Sequence, residues 1–320
     1  MKWDLLIRNA AERLSPYIRQ TPVDFSDALS GELGFPAFFK MENQQISGSF
    51  KARGAFNKIL SEMEKPDAPG FFVTASTGNH AAGFSLALRM FHLDGKIFLP
   101  ESVEDSKLEF IRTQGIPWER KGRDSLETEL FARELAEKQN WTMVPPYNDA
   151  EIIAGQGTIA SELIKQVPGL DTVLVPVGGG GLISGIAYFL KQFDTQVKII
   201  GCQPANSPEM YLSLKAGRII NDYISKPTLS DGTAGGIEPG SITFNLCQQY
   251  VDDLILLEEA EIASAIHWML KYHQDIIEGA AALTIAGARK IASRLAGKKT
   301  VLILSGKRLS YDKLRKIICV

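Results

Sequence analysis

Cysteine is scarce in this chain of 320 residues: Cys202, Cys247 and Cys319 are odd in number, far apart and without a C-x-x-C pair. A disulfide framework and a cysteine zinc site are thereby excluded, and a cytoplasmic, reducing compartment fits. There are four histidines. His92, His267 and His273 show no ligand spacing and read as packing or surface residues, so no metal site is expected. Nowhere do 18 apolar residues run together, so nothing reads as a membrane span. The opening MKWDLLIRNAAERLSPYIRQTPV has apolar residues at helical spacing broken by charge, which predicts a surface helix ending near Pro16 rather than a signal peptide. Net charge is −2 and no basic run occurs; nucleic acid and anionic membrane, which need clustered Lys and Arg, are not expected partners. No G-x-S-x-G elbow is present for a serine triad. No repeat of 20 to 50 residues suggests a solenoid. Small molecules remain the default ligand.

What is present is ordinary globular material, 45% hydrophobic and 22% charged, enough for a sizeable core in one large or two medium domains. Seven short apolar runs, AFFKME, FFVTAS, KIFLP, TVLVPV, VKIIGC, DLILL and TVLILS, are each followed by a segment of helical period. That alternation predicts parallel α/β structure, and runs apolar at nearly every position predict helices on both sheet faces. PPYND at 145–149 and TLSDGTAGGIEPGS at 228–241 read as loops, the first marking a crossing between two domains. Four unusual segments follow strands: SGSFK after AFFKME, STGNH after FFVTA, GGGGL after TVLVPV and SGKR after TVLIL. Strand C-termini of open parallel sheets line a ligand crevice, so the four are expected to converge on one site.

Gly178, Gly179, Gly180 and Gly181, followed by Leu182, form the strongest local signal. A tight turn opening the helix LISGIAYFL aims backbone N–H groups and a helix dipole at an anion, such as a phosphate. G-x-G-x-x-G fits in no register, the next strand ends at Gln203 rather than at a ribose-binding acid, and no Gly-Lys-Ser/Thr follows. A dinucleotide fold and a Walker A loop are both disfavoured, leaving a smaller phosphorylated cofactor. In Ser76-Thr77-Gly78-Asn79-His80, hydroxyls and free N–H groups at a helix start suit a carboxylate, although Ser76 or Thr77 alone would serve as a plain N-cap. Most lysines are solvated. Lys51, however, closes a Gly/Ser loop in the first turn of a helix, where a cation is unfavourable and the neutral, nucleophilic amine is favoured. Ser305-Gly306 after TVLIL is weak alone.

Together, SGSFKARGA, STGNH, PVGGGGLISGIA and the late LILSG resemble the serine/threonine dehydratase (threonine ammonia-lyase) family of pyridoxal-phosphate enzymes of fold type II, close to the serine racemases. The resemblance runs from TPV at 21 to the last strand. It implies an α/β fold of two open, twisted, mostly parallel sheets covered by helices, similar to tryptophan synthase β. Residues 1–45 and 146–320 would form a large cofactor-binding domain and residues 46–145 a small mobile one. It also implies pyridoxal 5'-phosphate as cofactor, a small-molecule amino acid as substrate, and a homodimer. Lys51 looks like the Schiff-base lysine and, with Thr77, a catalytic residue. Phe50 would pack by the ring, Asn79 would bond the ring hydroxyl, and Ser305 would face the pyridine nitrogen. Gly178, Gly179, Gly180, Gly181 and Leu182 would cradle the phosphate. Ser76, Thr77, Gly78, Asn79 and His80 would receive the substrate carboxylate. The implied reaction is α,β-elimination from L-threonine or L-serine to a 2-oxo acid and ammonia.

Departures bear on the substrate. Thr77 stands where dehydratases carry Ala and serine racemases Ser, which keeps racemisation open. Gln203 replaces the carboxylate of cation-binding relatives and leaves Glu209 the only acid nearby. Lys307 and Arg308 replace Gly-Asn and read as surface ion pairs, with contact to a second substrate carboxylate as the other reading. Dehydration of another hydroxy amino acid, a hydroxyaspartate or a hydroxyectoine-derived compound, is an alternative. So is a non-catalytic protein that binds pyridoxal phosphate, against which the retention of Lys51 and Ser305 argues. The chain ends one helix after Ser305, so no C-terminal regulatory domain, and no feedback through one, is expected.

Overall fold

The computed structural model describes residues 2–68, 70–220 and 222–318. Ten strands form in chain order: β1 (Val23–Phe25), β2 (Ala37–Lys40), β3 (Phe71–Ala75), β4 (Asp94–Leu99), β5 (Trp118–Arg120), β6 (Thr142–Met143), β7 (Thr172–Pro176), β8 (Lys198–Pro204), β9 (Asp253–Leu257) and β10 (Thr300–Ile303). Every one of the seven apolar runs is a strand. The three additional strands, β1, β5 and β6, have only three, three and two residues, too short for a periodicity to register.

The strands make two sheets. One has the order β1-β2-β10-β7-β8-β9 and is parallel apart from β1, which runs antiparallel to β2. The other, β5-β4-β3-β6, is parallel throughout and drawn entirely from the chain between β2 and β7. Along β7 and β10 successive side chains enter two different cores: Val173, Val175, Val301 and Ile303 on one side, Leu174 and Leu302 on the other. Both faces are dry, which is why these runs show no polar alternation. The second sheet likewise buries Phe72, Ile97 and Leu99 on one face and Val73, Ala75 and Phe98 on the other. The N-terminal helix Trp3–Leu14 buries Ile7, Ala10 and Leu14 and stops before Pro16, as its spacing predicts. Cys202 and Cys247 are buried free thiols; Cys319 lies outside the described residues. No described helix is long and apolar enough to cross a membrane.

The helix Lys51–Met63 packs on both Asn79–Phe91 and Ala150–Gln166. A Cβ at Gly155 would fall 2.6 Å from the Arg53 carbonyl oxygen, so the helices meet backbone to backbone there. Behind that contact lies a buried ionic network. The Arg53 guanidinium donates to Glu42 Oε1 and Oε2 (2.8 Å each), to Glu162 Oε1 (2.6 Å) and Oε2 (3.0 Å), and to Thr158 Oγ1 (3.0 Å). Lys40 joins through Glu162, the Thr21 carbonyl and Gln166 Oε1. Burial alone would raise the Glu42 carboxyl, but Arg53 and Lys40 hold it below its ordinary value. Deleting one partner of such a network leaves charge buried and uncompensated, at a cost of about 3–5 kcal/mol. Arg53→Ala is therefore expected to lower the urea midpoint by that much stability; an unchanged midpoint would show that the network contributes nothing.

Candidate active site

Helix starts in this protein are of two kinds. Asp27–Leu33, Ser125–Gln139 and Ala150–Gln166 are capped by Ser26, Asp124 and Asp149, whose side chains accept from first-turn N–H groups. The helices beginning at Lys51, Asn79 and Gly181 have no side-chain cap. At Asn79 and Gly181 the first N–H groups remain open to a ligand, whereas Lys51 N already donates to Ser49 Oγ at 3.4 Å; all three starts line one cavity of about 500 Å³. Ser76 and Thr77 do not cap their helix: Gly78 occupies the cap position, and the Ser76 hydroxyl accepts from the Gly78 N–H at 3.3 Å. Another depression, about 700 Å³ and lined by Pro227, Ala263, His267 and Ile317, contains none of the four motifs.

The first and last motifs are zipped together by backbone. Phe50 N donates to Ser305 O (3.0 Å), Lys307 N donates to Gly48 O (3.1 Å), and Ser49 bridges Gly306. Gly48 sits at φ 80°, the left-handed turn that lets the chain double back into the helix. Lys51 therefore emerges beside Ser305. Its Nζ donates to the Pro146 carbonyl at 2.6 Å and lies 5.2 Å from the Phe50 ring centroid. Burial pushes the Lys51 amine down to about 8, against the opposing pull of Glu129 and Glu278.

The glycine run is confined on several sides. A Cβ at Gly179 would meet the Tyr147 ring at 2.6 Å, one at Gly178 would meet Thr233 Cα at 2.9 Å, and one at Gly181 would meet Tyr147 Cβ at 3.0 Å. Gly180, at φ 88°, turns the chain from β7 into its helix. Leu182 is buried below and lines the same cavity.

Asn79 and Ser305, far apart in sequence, converge on one carboxyl that sequence reasoning missed. Asn79 Nδ2 donates to Glu278 Oε2 at 2.6 Å and Ser305 Oγ to Glu278 Oε1 at 3.1 Å. Burial raises Glu278 to about 7 even though both bonds pull it downward. Asn79 Oδ1 is buried without a hydrogen-bond partner. His80 is buried too, its Nε2 bonded to the Val144 carbonyl at 2.9 Å. Burial, then the charge of Lys51, lower its pKa to about 3, so its ring stays neutral. Thr77 lines the cavity, and its hydroxyl makes no hydrogen bond among the described residues.

Glu278, Glu129, Tyr147 and Thr233 all line the cavity without having been singled out from sequence. The available signal for Glu278 was a lone acid in the apolar stretch IIEGAAAL. Arg308 corrects an expectation. Rather than forming a surface ion pair, its half-buried guanidinium stacks 3.9 Å from the Phe110 ring centroid, donates to Ser47 O at 3.2 Å and lines the cavity. Lys307 is exposed. Glu209 is buried and accepts from the Ser207 and Ser225 hydroxyls, while Gln203 Oε1 accepts from Tyr211 N.

A sequence profile of the family described as pyridoxal-phosphate dependent enzyme matches residues 14–306. An L-threonine ammonia-lyase of Thermotoga maritima is 38% identical over 312 residues, covering 98% of this chain and 77% of the relative. The structure of maize serine racemase superposes with a TM-score of 0.89 at 30% identity, over 97% of this chain and 95% of that one. The processed form of threonine deaminase isoform 2 from Solanum lycopersicum also gives 0.89, at 32% identity over 98% and 92%.

Proposed function

Because the chain belongs to the family of pyridoxal-phosphate dependent enzymes, we propose that it removes water from L-threonine or L-serine, releasing a 2-oxo acid and ammonia. The observation that carries this reading is a lysine amine of lowered pKa sharing one cavity with a four-glycine turn and an uncapped helix start. The residues present fit the cofactor. The glycine turn admits no side chain, its helix start offers free N–H groups for a phosphate, and the unpaired Asn79 Oδ1 is positioned beside Lys51's cavity for a ring substituent.

Bound pyridoxal phosphate supplies an electron sink that acidifies the substrate Cα–H. Lys51 Nζ would hold the cofactor aldehyde and, once freed, would take the substrate Cα proton as general base. Phe50 would pack beside the ring. Gly178, Gly179, Gly180, Gly181 and Leu182 would hold the phosphate. Ser305, whose hydroxyl donates to Glu278 at 3.1 Å, would face the pyridine nitrogen. Ser76, Thr77, Gly78, Asn79 and the backbone at His80 receive the substrate carboxylate at the open helix start. Residues 46–145, which carry the second sheet, form the lobe that closes on substrate. A cytoplasmic homodimer completes this reading, and sedimentation velocity tests the dimer. The deciding experiment is an oxo-acid and ammonia assay over a panel of β-hydroxy amino acids with the purified holoenzyme. Inactivity on every member would sink the dehydratase reading.

One observation favours a second activity, racemisation of serine: Thr77 lines the cavity and its hydroxyl makes no hydrogen bond among the described residues. A proton donor on the face opposite Lys51 is what inversion requires. Thr77→Ala is then expected to abolish D-serine formation and leave oxo-acid release, as read by chiral chromatography; no D-serine from the wild type would remove this activity.

A further inference from the structure

Glu129 is a buried carboxyl to which the reading above assigns no task. It stands on the helix Ser125–Gln139, is 7% exposed, and lines the cavity that holds Lys51. Its Oε1 is shielded from water and accepts no hydrogen bond. The charged and titratable groups facing it are Lys51, Arg133 on its own helix, Glu238 and Tyr147. Arg133 Nη2 lies 3.8 Å from that oxygen, yet the same guanidinium pairs with Glu238, with Nε at 3.1 Å and Nη2 at 3.2 Å. Asn148 Nδ2 also donates to Glu238, at 2.6 Å, and the Tyr147 hydroxyl accepts from Glu238 N at 2.8 Å. The neighbours thus satisfy Glu238, while Glu129 lines the cavity with Oε1 enclosed and unpaired. A buried polar atom without a partner is rare in a folded protein and calls for a ligand or a proton. Burial, then the charge of Glu238, raise Glu129 to about 7, with Arg133 and Lys51 pulling the other way.

Dehydration poses a need that Lys51 alone meets awkwardly. Hydroxide is a poor leaving group, so the β-oxygen must gain a proton as the Cβ–O bond breaks. Resting on the dehydratase reading, we propose that Glu129 is the acid that delivers this proton to the substrate β-hydroxyl. The carboxylic O–H proton passes to the β-oxygen, the Cβ–O bond breaks with its electron pair on oxygen, and water leaves. The proton that Lys51 has taken from Cα then returns to the Glu129 carboxylate, so the two residues together remove one water and are restored.

Chloride leaves without a proton, so β-chloro-L-alanine separates an acid from a residue that merely shapes the cavity. Glu129→Gln is expected to lose about 10²–10⁴-fold in kcat on L-serine and to keep wild-type kcat on β-chloro-L-alanine. Its cofactor affinity and absorbance band should match the wild type. Equal losses on both substrates, or no loss on serine, would overturn the acid role. The wild type provides a second test that depends on no variant. Its rate on serine should fall as pH rises above about 7 as Glu129 loses its proton, and this descending limb should be missing with β-chloro-L-alanine. A limb common to both substrates rejects the proposal. A wild type inert on serine but active on β-chloro-L-alanine would instead reject the dehydratase reading itself.

Discussion

Lys51→Ala is expected to eliminate oxo-acid production from serine and threonine. General-base catalysis alone accounts for about 10²–10⁴-fold, and this variant also loses the amine proposed to hold the cofactor aldehyde. A coupled assay for the oxo acid reads the first effect and the visible absorbance of the bound cofactor reads the second. Normal turnover by the variant would overturn the assignment. The same residue carries a pH dependence in the cofactor-free protein. Burial lowers its pKa to about 8, and only the neutral amine attacks an aldehyde. Below that pH the neutral fraction rises about tenfold per unit. Reconstitution of apoprotein with pyridoxal phosphate should therefore accelerate between pH 6 and about 8 and level off above it. A rate independent of pH over that span would mean that Lys51 is not the reacting amine.

Gly179→Ala is expected to weaken cofactor binding. The added Cβ would sit 2.6 Å from the Tyr147 ring. That ring cannot retreat freely, because its hydroxyl is bonded to Glu238 N and its Cβ lies against Gly181. Overpacking of this kind costs about 1–3 kcal/mol, equivalent to a roughly 5- to 150-fold rise in Kd. Titration of apoprotein with pyridoxal phosphate measures it. Gly31→Ala, outside the cavity lining and with nothing within 4 Å of the added atom, is the matched control and should leave Kd unaltered. Equal affinity in both variants would remove the glycine turn from the phosphate site.

Much of this architecture is legible in the chain because the relevant signals are local. Strands covered on both faces are apolar at nearly every position, so β7 and β10 stand out from sequence, whereas β6 with two residues cannot. The glycine run is legible for a similar reason: only a residue without a side chain fits against Tyr147 and Thr233, and four such residues in succession mark the place. Arg308 was misread, because its composition suggests a solvated charge and its actual partner, the Phe110 ring, lies nearly two hundred residues away in sequence.

The sequence by itself determined the fold class, the four motifs, and Lys51 as the amine around which they gather. Each of these depends on residues adjacent in the chain, where periodicity, turn geometry and the start of a helix leave a pattern. Tertiary structure alone decided the acids. Glu278 becomes the shared acceptor of Asn79 and Ser305, and Glu129, with one oxygen enclosed and unpaired, comes to line the same cavity as Lys51, only when segments far apart in the chain fold together. A carboxylate's pKa and partners are set by burial and by charges within a few ångströms, and those neighbours come from segments that the chain order keeps far apart.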